Sequence, residues 1–380
     1  MITPSLFTPL AIRGVTLRNR IVLSPMCQYY AVDGAVTDWH LAHHGRFALG
    51  GLGAALVEAT GVTPEGRSTY GCTGLYADSQ IPGLARIASL YRSHGTLVGI
   101  QLTHSGRKAS AARPWDGAGS LPLHGPEPGW QTVAPSAIPV REGWPTPRAL
   151  TAEGIDQAVL AFQTAARRAL AAGFDFVELH GAHGYLLHTF LSPISNIRTD
   201  EFGGNLANRM RFPIMVCRAI REIWPSNRPV FYRTSAIDNV EGGISIEDTI
   251  EFAKALSHVG VDVMDCSSGG ISGSVAMANQ SQLHAGFQVP LANAVRANSG
   301  MKTMAVGLII EPALAERIVA TGQADLVALA RELIADPNWV YRAACELGLE
   351  DPYGVLPMSY GFYLRRRPVL ASTDDKKKWA

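Results

Sequence analysis

Short runs rich in β-branched and other apolar residues recur along the chain, bounded by glycine, proline or polar residues and separated mostly by longer amphipathic stretches. The short runs read as strands and the longer stretches as helices. Eight strand-like runs stand out: Ile21 to Ser24, Ala54 to Glu58, Leu97 to Leu102, Phe176 to Leu179, Pro229 to Thr234, Val261 to Cys266, Thr303 to Val306 and Asp325 to Leu329. Helices are predicted over Gln80 to His94, Thr151 to Ala172, Asn205 to Trp224, Ser245 to His258, Val289 to Asn298, Glu311 to Thr321 and Asp336 to Gly348. Ser245 and Asp248 have the spacing of a capping box, and Gly173 and Gly260 follow the last apolar position of their helices. This alternation predicts an α/β fold with a parallel sheet covered by helices. Eight strands close a (β/α)8 TIM barrel, which is a single domain, placed here at residues 1–355.

The stretch from Ser105 to Leu150 breaks the rhythm. It is dense in glycine and proline, carries Trp115, Trp130 and Trp144, and is too long for an ordinary connection. Because it follows the third strand, it is expected to be an active-site excursion or lid; a loop that only covers the barrel rim fits most of its residues equally well. Residues 356–380 read as a C-terminal tail.

Composition narrows the function classes. With 380 residues, 47% hydrophobic and 17% charged, the chain can bury a large core. A net charge of +1 offers no electrostatic footprint for nucleic acid, and the basic runs Arg365 to Arg367 and Lys376 to Lys378 read as a solvated tail. No apolar window reaches the roughly 18 residues of a membrane span, and the N-terminus lacks signal-peptide features. A cytoplasmic protein is expected. Five scattered cysteines, Cys27, Cys72, Cys217, Cys266 and Cys345, indicate neither a disulfide framework nor a metal cluster.

The candidate chemistry gathers at strand ends, where α/β proteins bind ligands. Val177-Glu-Leu-His180-Gly-Ala-His183-Gly-Tyr185 places two imidazoles and a phenol just past the fourth strand. Imidazole can donate a hydrogen bond to a carbonyl or nitro oxygen near neutral pH, and a phenol keeps its proton to about pH 10, so the trio suits gripping and protonating a polar acceptor. Singly, each is more often a structural residue, and it is the clustering of all three that favours the chemical reading. A zinc site would need HExxH or HxxEH, and neither is present. Other strand-end residues are Ser24 to Cys27 and Tyr29, Ala59, Gln101, Arg233, Gly307, Ala330 and Arg331. No GxGxxG or GxxxxGK[ST] motif appears, but a barrel can hold a phosphate on the loops after strands seven and eight, where Gly307 and Arg331 fall.

In order and spacing these residues resemble the Old Yellow Enzyme family of FMN-dependent ene-reductases, in particular its thermophilic-like branch with the xenobiotic reductases. The similarity runs from Leu6-Phe-Thr-Pro-Leu10 through Ser24-Pro-Met-Cys27, Ile100-Gln-Leu-Thr-His104-Ser-Gly-Arg107-Lys108 and the His180 to Tyr185 run to Asp265-Cys-Ser-Ser-Gly269. The resemblance implies FMN held by Ser24, Pro25, Met26, Cys27, Ala59, Gln101, Arg233, Gly307, Ala330 and Arg331. Cys27 would tune the flavin's potential. His180 and His183 would bind the electron-withdrawing group of an activated alkene, or a phenolic inhibitor. Tyr185 would donate the proton and Tyr29 would hydrogen-bond the substrate oxygen. NADPH, or NADH, would be the transient reductant. Tyr363 in the tail, ahead of Tyr360 or Arg365, would reach a neighbouring subunit's site in a homodimer or homotetramer.

The chain also departs from the family. Ala330 stands where the family often has glycine, the excursion exceeds that of short branch members, and residues 366–380 have no clear counterpart. Two alternatives stay open at this stage. One is a fused dienoyl-CoA reductase type enzyme, whose cysteine cluster and extra nucleotide domain are not seen; the other is a barrel that binds ligand without turnover.

Overall fold

The eight runs form strands that close on themselves in the computed structural model, which describes residues 3–117, 119–122, 124, 128–272 and 283–367. Numbered round the barrel they are β1 (Ile21–Leu23), β2 (Ala54–Gly61), β3 (Leu97–Thr103), β4 (Phe176–Gly181), β5 (Val230–Ser235), β6 (Val263–Ser267), β7 (Lys302–Ala305) and β8 (Leu326–Leu329). Every neighbouring pair is parallel, and β8 returns to pair with β1 through Val327 opposite Ile21. This is a TIM barrel. Pro229 stays outside β5 because it has no N–H for the ladder.

Side chains alternate along a strand, so every second residue points into the barrel. Val22, Leu56, Phe176, Phe231, Val263 and Met304 fill the interior, and Ile12 and Leu17 join them from below. Those two come from an antiparallel hairpin, Leu10–Ile12 with Val15–Leu17, which closes the barrel floor and was not predicted. Gly99 leaves room for this layer, since a Cβ there would sit 2.4 Å from the Phe176 ring. The opposite faces pack under helices in a larger apolar shell containing Phe47, Tyr91, Phe162, Phe212, Phe252 and Trp339.

The predicted helices appear as α2 (Ile81–Ser93), α3 (Ala152–Ala171), α5 (Leu206–Ile223), α6 (Ile246–His258), α7 (Val289–Ser299), α8 (Pro312–Ala320) and α10 (Trp339–Glu346). The capping box at Ser245 is present, and Gly173 and Gly260 adopt φ of 87° each. α10 begins later than Asp336 because the Asp336 carboxylate takes the Asn338 N–H in a turn at 3.0 Å. Helix α1 (Asp38–Ala48) escaped the hydrophobic pattern for a physical reason. Its buried face is carried largely by histidines: His44 meets the Tyr91 hydroxyl at 2.8 Å and His40 meets Glu58 at 3.3 Å. Three short helices, α4 (Leu186–Leu191), α9 (Arg331–Ala335) and α11 (Met358–Leu364), complete the set. Among the described residues no helix is long and apolar enough to cross a membrane.

Candidate active site

Of the residues the sequence singles out, all but Met26 and Tyr363 line one cavity of about 700 Å³ at the carboxyl ends of the strands. Met26 turns away, its side chain packed against the core and its carbonyl taking the Gln28 amide at 2.9 Å. Tyr363 lies on α11 with 72% of its surface exposed, outside its own chain's cavity. The basic run 376–378 and the tail from 368 onward lie outside the described residues.

The upper wall is built by β4 and the turn that follows it. His180 Nδ1 accepts the Ala182 N–H at 3.3 Å, which leaves the ring proton on Nε2. His183 adopts φ of 59°, a left-handed conformation uncommon for a side-chain-bearing residue. Several contacts hold it there. Its N–H donates to Ser235 Oγ at 3.0 Å, its Nε2 lies 2.8 Å from Ser267 Oγ, and the buried Lys108 ammonium donates to its carbonyl at 2.8 Å and to that of Gly270. Gly184 then donates its N–H to His188 Nδ1 at 2.8 Å, so His188 Nε2 carries the proton to Asp238 at 2.8 Å. This buried His–Asp pair braces the turn. Tyr185 ends it as the N-cap of α4, its ring 4.7 Å from that of His180, while the rings of His180 and His183 lie 5.2 Å apart. The Ser68 hydroxyl donates to Tyr185 Oη at 3.2 Å.

Burial, then the charge of Arg233, pushes both His180 and His183 well below the usual imidazole range. Burial likewise pushes the Tyr185 and Tyr29 phenols up. The cavity therefore holds neutral donors near pH 7. A histidine with a depressed pKa charges only below its ordinary value, so lowering the pH through about 6.5 leaves both rings neutral. The ring C–H shifts of His180 and His183 in NMR should accordingly stay constant from about pH 8 to pH 6, and a titration step in them near 6.5 would contradict this; burial pulls the Lys108 ammonium down to about 7, so phenol affinity itself can change in that range through Lys108.

The inward residues one layer below are polar. The barrel register sets Gln101 beside Glu178, His180 beside Arg233 and Arg233 beside Asp265. Gln101 Nε2 donates to Glu178 Oε1 at 2.8 Å, and Arg233 Nη1 donates to Ser24 Oγ at 3.1 Å. Arg233 Nε lies 3.3 Å from Asp265 Oδ2, an ion pair by distance without hydrogen-bond geometry. Burial and then Asp265 push Glu178 up, with Arg233 opposing.

The chain as a whole matches known proteins. Residues 5–350 match the family described as NADH:flavin oxidoreductase / NADH oxidase. The chain belongs to that family. It is 44% identical over 345 residues to an NADPH dehydrogenase of Geobacillus sp. (strain WCH70), a match covering 90% of this chain and 94% of that one. Its fold is similar to that of morphinone reductase, with a TM-score of 0.74 and 27% identity over 91% of this chain and 90% of that one. It is also similar to 2-naphthoyl-CoA reductase, with a TM-score of 0.80 and 27% identity over 93% of this chain, and it spans about half (53%) of that longer protein. The Old Yellow Enzyme resemblance is thereby confirmed, and the protein is an oxidoreductase that uses FMN with NADPH or NADH.

The residues of this flavin oxidoreductase fit FMN. Arg233 presents a fixed cation in the cavity that Gln101 also lines, a donor set suited to the polar edge of an isoalloxazine. Gly307, at φ of 104°, keeps the rim open, because a Cβ there would meet Gln288 and Phe287 at 3.0 Å, and Arg331 stands exposed nearby on α9. Ala330 adopts φ of −121°, outside the left-handed region that favours glycine. Sequence reading missed Glu178, Asp265, Ser267, Gln288 and the His188–Asp238 brace as parts of the site. The available signal for Glu178, Asp265 and Ser267 was polar residues at inward positions of buried strands.

Proposed function

We propose that the protein is an ene-reductase acting on activated alkenes such as α,β-unsaturated carbonyl and nitro compounds. One observation supports this above others: two neutral imidazoles and a proton-bearing phenol stand together on one wall of the flavin cavity. When bound, FMN supplies hydride acceptance from NADPH and hydride donation to an electron-poor carbon. His180 and His183 donate to the acceptor oxygen and withdraw electron density from the C=C. Tyr185 holds the proton for the carbon next to the activating group. Tyr29, which lines the cavity at φ of 59° under an edge-on contact from Trp115 at 5.5 Å, adds a hydrogen bond to the substrate oxygen. Cys27 lies on the same wall and tunes the flavin. The excursion acts as a partial lid through Trp115. Tyr363, so exposed on its own protomer, serves the site of a neighbouring subunit.

Reduction of 2-methylcyclohexenone in D2O with unlabelled NADPH tests the reading. One deuterium is expected at the carbon bearing the methyl group, with solvent-derived label absent from the β carbon; label at both carbons, or no saturated product, would overturn it. His180→Ala and His183→Ala should each weaken phenol binding about tenfold while FMN stays bound, the loss of roughly one hydrogen bond. Equal phenol affinity in both variants removes the anchoring role.

A further inference from the structure

Two cysteines far apart in sequence meet at the wall of the flavin cavity. Cys27 lines that cavity on the run-on from β1. Cys72, 2% exposed, lies behind it on the connection after β2. The two segments are pressed together at the backbone: the Ala31 N–H donates to the Gly71 carbonyl at 2.9 Å, and a Cβ on Gly71 would fall 2.2 Å from the Tyr29 carbonyl oxygen. The two thiols are close enough to perturb each other, and the Cys72 sulfur faces the Thr69 N–H and Thr69 Oγ1, each at 3.4 Å. Of the remaining cysteines, Cys217 and Cys266 are buried in the shell and Cys345 is exposed.

We propose that Cys27 and Cys72 form a redox dithiol that hydroperoxides entering the cavity convert, reversibly, to a disulfide. This goes beyond the reductase reading and does not depend on it. Contact with Cys72, followed by burial, holds the Cys27 thiol well above its ordinary range, while contact with Cys27 pulls the Cys72 thiol down. In the singly deprotonated pair the two sulfurs share one proton. When it rests on Cys72, the Cys27 sulfur attacks the peroxide, breaking the O–O bond to give a sulfenic acid and hydroxide. Hydroxide takes the Cys72 proton to become water, and the Cys72 thiolate then attacks the Cys27 sulfur and expels a second hydroxide. Overall one thiol, one thiolate and one H2O2 give one disulfide, one water and one hydroxide. Cys27 alone faces the cavity, and Cys72 stops its oxidation short of the irreversible sulfinic acid. The cross-link also tethers the segment whose Ser68 hydroxyl donates to Tyr185.

The test uses FMN-loaded protein carrying Cys345→Ser to remove the exposed thiol. After stoichiometric H2O2 and quenching with iodoacetamide, the denatured protein should have lost two of its remaining thiols. Peptide mass mapping should find a Cys27–Cys72 cross-link that dithiothreitol reverses. Adding Cys72→Ala should abolish the cross-link and leave Cys27 as a sulfenic acid that dimedone traps. A full thiol count after peroxide overturns the proposal, as does dimedone-reactive or sulfinic Cys27 in the protein that retains Cys72. Neither readout needs turnover, so failure here is distinct from failure of the reductase reading.

Discussion

Tyr185→Phe is expected to slow reoxidation of the reduced enzyme by an enone about 10²- to 10⁴-fold, the usual contribution of a positioned proton donor. Flavin reduction by NADPH should be unchanged, because no proton from Tyr185 enters that half-reaction. The substitution is conservative in shape. It removes only the oxygen that accepts from Ser68, and the ring keeps its place 4.7 Å from His180. Stopped-flow absorbance of the two half-reactions separates the outcomes. An unchanged enone step removes Tyr185 from the chemistry, whereas equal slowing of both steps points to a displaced cofactor.

Arg233→Met should have the largest effect on stability. It leaves Asp265 and Glu178, both fully buried, without their cation. Removing one partner of a buried pair costs about 3–5 kcal/mol, and FMN should dissociate on gel filtration. Burial already pushes both carboxyls up while Arg233 opposes, so its removal lifts both further. A carboxyl whose folded pKa exceeds its unfolded one favours the fold fully below its unfolded pKa, about pH 4, and loses that contribution as the pH rises through the folded value. The gap in melting temperature between wild type and variant should thus widen from about pH 6 to pH 9. A gap independent of pH would mean that these carboxyls are not coupled to Arg233.

The barrel was legible in the sequence because buried parallel strands read as continuous apolar runs and covering helices as amphipathic ones. α1 was not, since His40 and His44 fill its buried face by hydrogen bonding, and a hydrophobic pattern counts them as polar. The His180 to Tyr185 run was visible as chemistry. Its supports were not, because Lys108 and Ser267 reach His183 from 75 and 84 residues away in sequence, Asp238 reaches His188 from 50 residues away, Gln288 backs Ser267, and only the closed topology makes them neighbours. Tyr363 was read from the tail's resemblance to the family, and a single protomer leaves it in solvent.

The account rests on one site that takes hydride from a nicotinamide and passes it to an alkene held by His180 and His183. Anaerobic spectrophotometry of the FMN-loaded protein tests this most directly. Stoichiometric NADPH should bleach the yellow flavin absorbance, and cyclohexenone added without oxygen should restore it while cyclohexanone forms in equal amount. A flavin that stays oxidised with both NADPH and NADH, or stays bleached after the enone, contradicts the account.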